Sequence, residues 1–121
     1  AIEAATPAIT RELHALLDSG REDFRPYVAY EAGTPVNQWA ELNHSTRWSS
    51  YFLWRDGVPQ IEAQAACPHT AAALQTVEMA EIGALCPNAM FSALAPRTRI
   101  PPHHGETNAR VVVHLPLLVP D

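Results

Sequence analysis

The sequence contains no lysine, only two cysteines and no long apolar run. Cys67 and Cys86 lie at unrelated spacing, each before a proline, whereas a small secreted domain normally carries more cysteines. We interpret both as free thiols in a reducing compartment. No apolar run approaches the roughly 20 residues that a membrane-spanning helix needs, and no signal peptide is visible. These absences predict a cytoplasmic protein with no membrane partner.

Charge and composition exclude further classes of protein. The eight cationic residues are all arginines, and thirteen acidic residues outnumber them to leave a net charge of −5. This balance gives no reason to expect a nucleic-acid partner. An apolar fraction of 47% with 17% charged residues is typical of a folded chain, and 121 residues suffice for one domain. We therefore predict a single domain over 1–121. Both ends of the sequence look truncated, so we expect it to be a piece of a longer protein.

Two segments have the pattern of helices. Residues 6–20 combine a candidate N-cap at Thr6, a proline at the first helical position and a stop at Gly20. One face of this helix carries Ile9, Leu13, Leu16 and Leu17, and the residues expected to lie away from it are Arg11, Glu12 and Asp18. A second helix is predicted over 69–82, where alanines are dense and Gly83 would end it.

Strand patterns dominate after residue 44. The stretch "STRWSSYFLWRDG" alternates two sets of side chains and ends in the turn signal Asp56-Gly57. Two further β-like runs, over 89–95 and 109–119, flank the turn "TRIPPHHGETN". With a helical N-terminal part over about 1–35, this order predicts an α+β fold, mainly β.

The stretch "IPPHHGETNARVVVHLPL" is the least ordinary part of the chain, because three histidines surround one turn. Imidazole is a common ligand of transition metals. If 89–95 and 109–119 pair across the turn, Ser92, His103 and His114 could converge on one pocket. On spacing alone the structural interpretation is preferred, with His103 and His104 as loop residues and His114 half-buried. Nucleophilic catalysis is disfavoured, because no serine or cysteine lies in a G-x-S-x-G context.

The longer segment "FSALAPRTRIPPHHGETNARVVVHLPLLVP" resembles the aspartyl/asparaginyl β-hydroxylases, a family of iron(II)- and 2-oxoglutarate-dependent oxygenases. The family pattern is a serine strand, a P-x-T-x-I/V-x-P-H-x-G-x-T-N-x-R turn and a strand with H-L-x-L-x-x-P. The segments "NHSTRWSSYFLWRDG" and "CPHTAAAL" also resemble upstream parts of the family. The likeness covers most of 37–121 and keeps its order.

The resemblance implies a fold, a set of cofactors and residue roles. The fold would be a double-stranded β-helix of the jelly-roll or cupin type with flanking N-terminal helices, and the cofactors Fe(II), 2-oxoglutarate and O₂. His103 matches the iron ligand, and His104 falls at a variable position. Ser92 matches the residue that binds the distal carboxylate of 2-oxoglutarate, and His114 the one that contacts its carboxylate beside the metal.

This sequence departs from the family pattern in two places. Some members have an arginine at the position of Val112 that helps to bind 2-oxoglutarate; Arg110 shares its face and is the candidate here, although two residues along a strand span about 7 Å. The second iron-binding histidine and the arginine for the distal carboxylate are expected beyond Asp121. Glu106 is not nominated as a ligand, because the family lacks the carboxylate of the common iron triad.

The resemblance implies hydroxylation of an unactivated C–H bond, with the β-carbon of an Asp or Asn residue, or a related peptide or amino-acid substrate, as the target. Candidate substrate contacts are Trp39, Arg47, Trp48 and Trp54, with core packing as the simpler interpretation of Trp48 and Trp54. The alternative function is a non-catalytic binding or regulatory domain of the same fold. The oligomeric state is left open.

Overall fold

An eight-residue strand forms the centre of the fold. The structure is a computed structural model and describes residues 2–20, 23–29, 42–105 and 107–120. In these ranges the central strand β2 (Trp48–Arg55) has β1 (Arg25–Pro26) and β3 (Val58–Pro59) along one edge and β4 (Ala89–Leu94) along the other, all antiparallel. The predicted strands over 45–57 and 89–95 are thereby confirmed. Their mutual pairing, Ser50 opposite Ser92, was not predicted.

The turn between β2 and β3 is the one that the sequence indicates. Asp56 and Gly57 both have positive φ, at 51° and 85°. This conformation suits a two-residue hairpin turn, and glycine adopts it without strain.

The N-terminal helix is confirmed with two corrections. It runs as α1 (Thr6–Asp18) after a 3-10 turn over Ile2–Ala5, so Ala5 rather than Thr6 stands at the N-cap. Ile9 and Leu13 are buried as expected. Glu12 does not lie away from the packed face; its side chain is only 11% exposed, because its carboxylate faces the start of another helix.

The second predicted helix is wrong in its extent. Two short helices occur instead, α2 (Ile61–Ala66) and α3 (Pro68–Leu74). Pro68 lacks the N–H that would continue α2, so it begins a new helix. The chain leaves helical geometry after Leu74, and Gly83 lies in a turn rather than at a helix end. Alanine-rich propensity did not extend the helix further, since a weak local preference yields to tertiary packing.

The predicted strand over 109–119 is also wrong within the described residues. The segment forms no strand, and Val111, Val112 and Val113 are 87%, 70% and 79% exposed. A strand requires a partner for its backbone N–H and C=O groups, and among the described strands β4 pairs with β2 and not with this segment. Leu115 and Leu117 nevertheless pack against the core.

The two faces of the sheet pack against different parts of the chain. Tyr51, Leu53 and Phe91 point to the face covered by the helices and share a core with Ile9 and Leu13. A register shift between Phe52 and Trp54 turns Trp54 to that core as well. The opposite face carries a smaller cluster of Trp48, Val28 and Leu42. The described residues thus form an α+β fold with an antiparallel sheet; a double-stranded β-helix is not seen in them.

None of the helices in the described ranges has both the length and the apolar character required to cross a bilayer.

Candidate active site

The sheet face opposite the helices brings two of the predicted site residues near one indole ring. Trp48 Nε1–H donates a hydrogen bond of 2.9 Å to Ser92 Oγ. The same ring lies 6.4 Å from the imidazole of His103, measured between centroids, at an interplanar angle of 52°. Trp48 therefore joins β4 to the histidine turn.

The strand register explains this arrangement. Ser50 and Ser92 are opposite each other, so they share a face with Trp48, which lies two residues before Ser50 on the same strand. Trp48 is only 7% exposed, and a buried indole N–H needs an acceptor, which Ser92 provides. Tyr27 supports the other side of the indole, with ring centroids 4.5 Å apart.

The entry to the histidine turn is held by two hydrogen bonds to backbone carbonyls. Ala95 N–H donates to the carbonyl of Arg47 at 2.8 Å, and Arg47 Nη2 donates to the carbonyl of Pro96, also at 2.8 Å. These bonds bind the end of β4 to the start of β2. They direct the chain after β4 back toward Trp48, which is how His103 reaches that ring. Arg47 therefore has a structural role beside its candidate role as a substrate contact.

The hydrogen bond of His103 selects its tautomer. Nδ1 lies 2.8 Å from the carbonyl oxygen of Pro101, and because a carbonyl only accepts, Nδ1 carries the proton. The basic lone pair then resides on Nε2, the atom with which a neutral imidazole binds a metal, while Nδ1–H anchors the ring. His104 has the same arrangement with the carbonyl of Gly105, at 2.9 Å. Either histidine thus has the tautomer that suits a metal ligand bound through Nε2. His103 differs from His104 in its contact with Trp48.

Ser92 has the donor that a carboxylate would require. Its hydroxyl accepts the Trp48 hydrogen bond through the oxygen, so its own O–H can donate elsewhere, and the residue is exposed. Thr98, between β4 and His103, buries its Oγ1 with no hydrogen-bond partner among the described residues.

The structure does not bring the other predicted residues to this site. His114 is exposed and makes no hydrogen bond or ring contact with Ser92 or His103 in the described ranges. Arg110 Nη1 donates instead to Cys86 Sγ at 2.7 Å and, more weakly, to the carbonyl of Leu85 at 3.4 Å. No three His, Cys, Asp or Glu side chains that could hold a metal come together within the described parts of the chain. Trp39 lies outside the described residues, so its role as a substrate contact stays a prediction.

Sequence reasoning missed two features of this face. Trp48 was named only as a substrate contact or a core residue, although its need for a hydrogen-bond acceptor could have suggested a partner. Arg25 is opposite Ser50, so the row Arg25, Ser50 and Ser92 crosses three strands on one face. No sequence signal indicates the two-residue strand β1, so the place of this cation could not be predicted.

An antiparallel sheet with helices on one face, and with Trp48, Ser92 and the histidine turn gathered at the other, defines the class as an α+β domain with a polar site. Comparison with known proteins gives the family. The family model described as "Aspartyl/Asparaginyl beta-hydroxylase" matches residues 3–121. The chain belongs to this family, and the resemblance noted in the sequence is confirmed.

Two relatives extend this finding. The chain is 33% identical over 120 residues to an ornithine lipid ester-linked acyl 2-hydroxylase of Rhizobium tropici, covering 99% of this chain and 38% of that protein. It is 33% identical over 79 residues to the aspartyl/asparaginyl beta-hydroxylase of Mus musculus, covering 65% of this chain and 10% of that one. The chain thus spans well under half the length of these relatives, both of which are named as hydroxylases. No solved structure matches it.

Proposed function

We propose that this chain is the part of an Fe(II)- and 2-oxoglutarate-dependent hydroxylase that carries one iron ligand and the serine that binds the cosubstrate. The single observation that carries the proposal is the contact of Trp48 with both Ser92 and His103. Membership of a hydroxylase family supports it independently.

His103 would hold the iron through Nε2, with Nδ1–H fixed on the carbonyl of Pro101. When bound, iron(II) together with 2-oxoglutarate and O₂ supplies the oxidising power that converts a C–H bond to C–OH. The residues of the chain bind and orient the iron and the cosubstrate. The Ser92 O–H donates to the distal carboxylate, and the indole N–H of Trp48 holds the serine oxygen in place. His114 and Arg110 stay predicted contacts of the same cosubstrate, and a second iron ligand is proposed to lie outside the described residues.

The proposed substrate is a molecule in which the carbon to be hydroxylated is attached to a carbonyl carbon. The β-carbon of an Asp or Asn residue is attached to the side-chain carbonyl, which is the target expected from the sequence. The 2-position of an acyl chain is likewise attached to the acyl carbonyl. The relative named as an acyl 2-hydroxylase aligns, at 33% identity, over 99% of the length of this chain. An acyl lipid is therefore the second candidate, beside a peptide or amino acid.

The test is an anaerobic Fe(II) titration of the full-length protein, together with 2-oxoglutarate turnover to succinate. His103→Ala should abolish iron binding, while His104→Ala, its matched control, should leave it unchanged. Ser92→Ala should weaken the apparent affinity for 2-oxoglutarate by roughly ten-fold with iron binding retained, since one hydrogen bond to a charged group contributes about 1.5 kcal/mol. Trp48→Phe keeps an aromatic side chain but replaces the indole and removes its N–H, and a smaller loss of 2-oxoglutarate affinity is expected.

Iron binding that survives in His103→Ala would contradict the site, and absence of iron binding in the wild-type protein would favour the non-catalytic domain. Mass spectrometry of an Asp/Asn peptide and of an acyl lipid after turnover distinguishes the two substrate candidates by the added oxygen atom.

A further inference from the structure

A cleft of about 930 Å³ lies at the end of β2 remote from His103. Its two walls are the β2–β3 hairpin turn and the irregular segment that follows α3. Trp48 and Trp54 are six residues apart on β2, so the cleft is about 20 Å from the candidate active site. We refer to it as the Trp54 cleft.

Hydrogen bonds join the two walls of the Trp54 cleft. Gly57 N–H donates to the carbonyl of Pro87 at 3.0 Å, and the N–H of Asp56 donates to Asn88 Oδ1 at 2.8 Å. The bridge between Ile82 and Cys86 closes the loop of the second wall. The two walls of the cleft are therefore hydrogen-bonded to each other.

The lining of the cleft combines two kinds of side chain. The apolar lining side chains are half-buried, namely Trp54, Leu74, Val77, Met79 and Ile82. Exposed carboxylates of Asp56, Glu78 and Glu81 also line it. Neither arginine nor histidine occurs among its described lining residues. Two cations lie beside it in sequence or by contact: Arg55, which precedes Asp56 and holds its guanidinium over the Phe52 ring, and Arg110, whose guanidinium bonds to Cys86. The three carboxylates with these two arginines leave one net negative charge.

The carboxylates are not arranged for a bare metal ion, because no group of three ligating side chains comes together in the described ranges. The cleft is wide and open to solvent, and its volume can hold a small organic molecule, for which roughly 300–1,000 Å³ is usual. Carboxylates on an apolar cleft complement a ligand that carries a positive charge on an apolar body, and an aromatic wall such as Trp54 adds a favourable face for a cation.

From this juxtaposition of an apolar cleft with three carboxylates, we propose that the Trp54 cleft binds a cationic amphiphile, a molecule with an ammonium group attached to an apolar chain or ring. This site goes beyond the proposed hydroxylase function, because it shares no residue with the His103 and Ser92 site.

The test uses three probes with the same eight-carbon chain, all below their micellar concentrations: octyltrimethylammonium, octyl sulfate and neutral octyl glucoside. Binding is measured by calorimetry and by quenching of tryptophan fluorescence. The cationic probe should bind at least ten-fold more tightly than the other two. Its affinity should fall with added salt, because the carboxylates are exposed and screened.

Variants locate the site. Glu78→Gln/Glu81→Gln should weaken binding of the cationic probe roughly ten-fold, at about three-fold for each exposed charge. The matched control Glu3→Gln/Glu62→Gln removes the same charge from exposed positions outside the cleft and should leave the affinity unchanged. In Trp54→Phe the fluorescence response should be lost.

Equal affinity for the three probes would overturn the proposal, as would equal losses in the two double variants, because attraction to the net negative chain alone would then explain binding. Absence of binding by the cationic probe also overturns it. Circular dichroism confirms that each variant is folded. Iron binding measured in the same samples separates a failure of this proposal from a failure of the hydroxylase site.

Discussion

Replacing Glu12 by alanine should lower the free energy of unfolding by about 3 kcal/mol, because Glu12 acts as the N-terminal cap of a helix to which it does not belong. One carboxylate oxygen accepts the N–H and the hydroxyl of Thr70, both at 2.6 Å, and the other accepts the N–H of His69 at 2.9 Å. His69 and Thr70 lie in the first turn of α3, whose own N-cap residue, Cys67, makes no side-chain hydrogen bond.

The magnitude follows from these groups. Loss of a helix cap costs about 0.5–2 kcal/mol, and a buried donor left without an acceptor costs about 1–3 kcal/mol. Thr70 is 6% exposed, so water does not readily replace the carboxylate there, whereas the side chain of His69 is 69% exposed. Glu12→Gln keeps one acceptor for Thr70 but directs an amide N–H at the N–H of His69. The free energy of unfolding should therefore fall by about 1–2 kcal/mol in this variant.

Thermal unfolding followed by circular dichroism is the assay. At about 4 °C per kcal/mol for a chain of this size, Tm should fall by about 12 °C in Glu12→Ala and by roughly half as much in Glu12→Gln. Asp18→Asn is the control, because it removes an exposed carboxylate from the same helix and should change stability by less than about 0.5 kcal/mol. A Tm for Glu12→Ala equal to that of Asp18→Asn would refute the capping role.

The same carboxylate predicts a dependence on pH. Burial raises the pKa of Glu12, but the hydrogen bonds from Thr70 and His69 outweigh it, so this pKa lies below its ordinary value of 4.5. A lowered pKa in the folded state means that the stabilisation is fully present above the unfolded value and is lost as the pH falls through the folded one. The difference in stability between wild type and Glu12→Gln should therefore shrink below about pH 4.5.

Two further predictions test the turn and the core. Gly57→Ala should destabilise the protein by about 2–3 kcal/mol in a denaturant titration, because φ is +85° and the added Cβ would lie 2.9 Å from the carbonyl oxygen of Cys86. Gly83→Ala is the control: there is open space around Gly83, so the same titration should show almost no change in stability. Cys67 has no exposed surface, and its burial, with Glu12 nearby, raises its pKa to about 11. In a Cys86→Ser background a thiol reagent at pH 7 should thus modify Cys67 only after unfolding, and rapid labelling of the native protein would contradict this placement.

Local signals predicted some elements well because the information is local. Thr6–Asp18, Trp48–Arg55 and Ala89–Leu94 each have a clear period and punctuation by proline or glycine. The wrong predictions concern segments whose state depends on a distant partner. Residues 109–119 have strong β propensity but pair with no strand in the part of the chain that the structure describes, and the end of α3 depends on what its side chains pack against.

The candidate site divides in the same way. Ser92 and His103 were named from motif resemblance, which requires no coordinates. Their connection through Trp48 depends on the register of β2 against β4, and no spacing within the sequence reveals a register between strands some 44 residues apart. The contact of Arg110 with Cys86 and the capping of α3 by Glu12 were likewise beyond sequence reasoning, since each joins residues distant along the chain.

The sequence by itself determined the family, the α+β class and the residue types suited to iron and carboxylate binding, because these are encoded in short motifs and periodic patterns. The tertiary structure alone decided which face of the sheet carries Ser92, which indole orients it and where an acidic, apolar cleft opens. The physical reason is that hydrogen bonds and packing depend on proximity in space, which the fold creates between segments that the sequence leaves far apart.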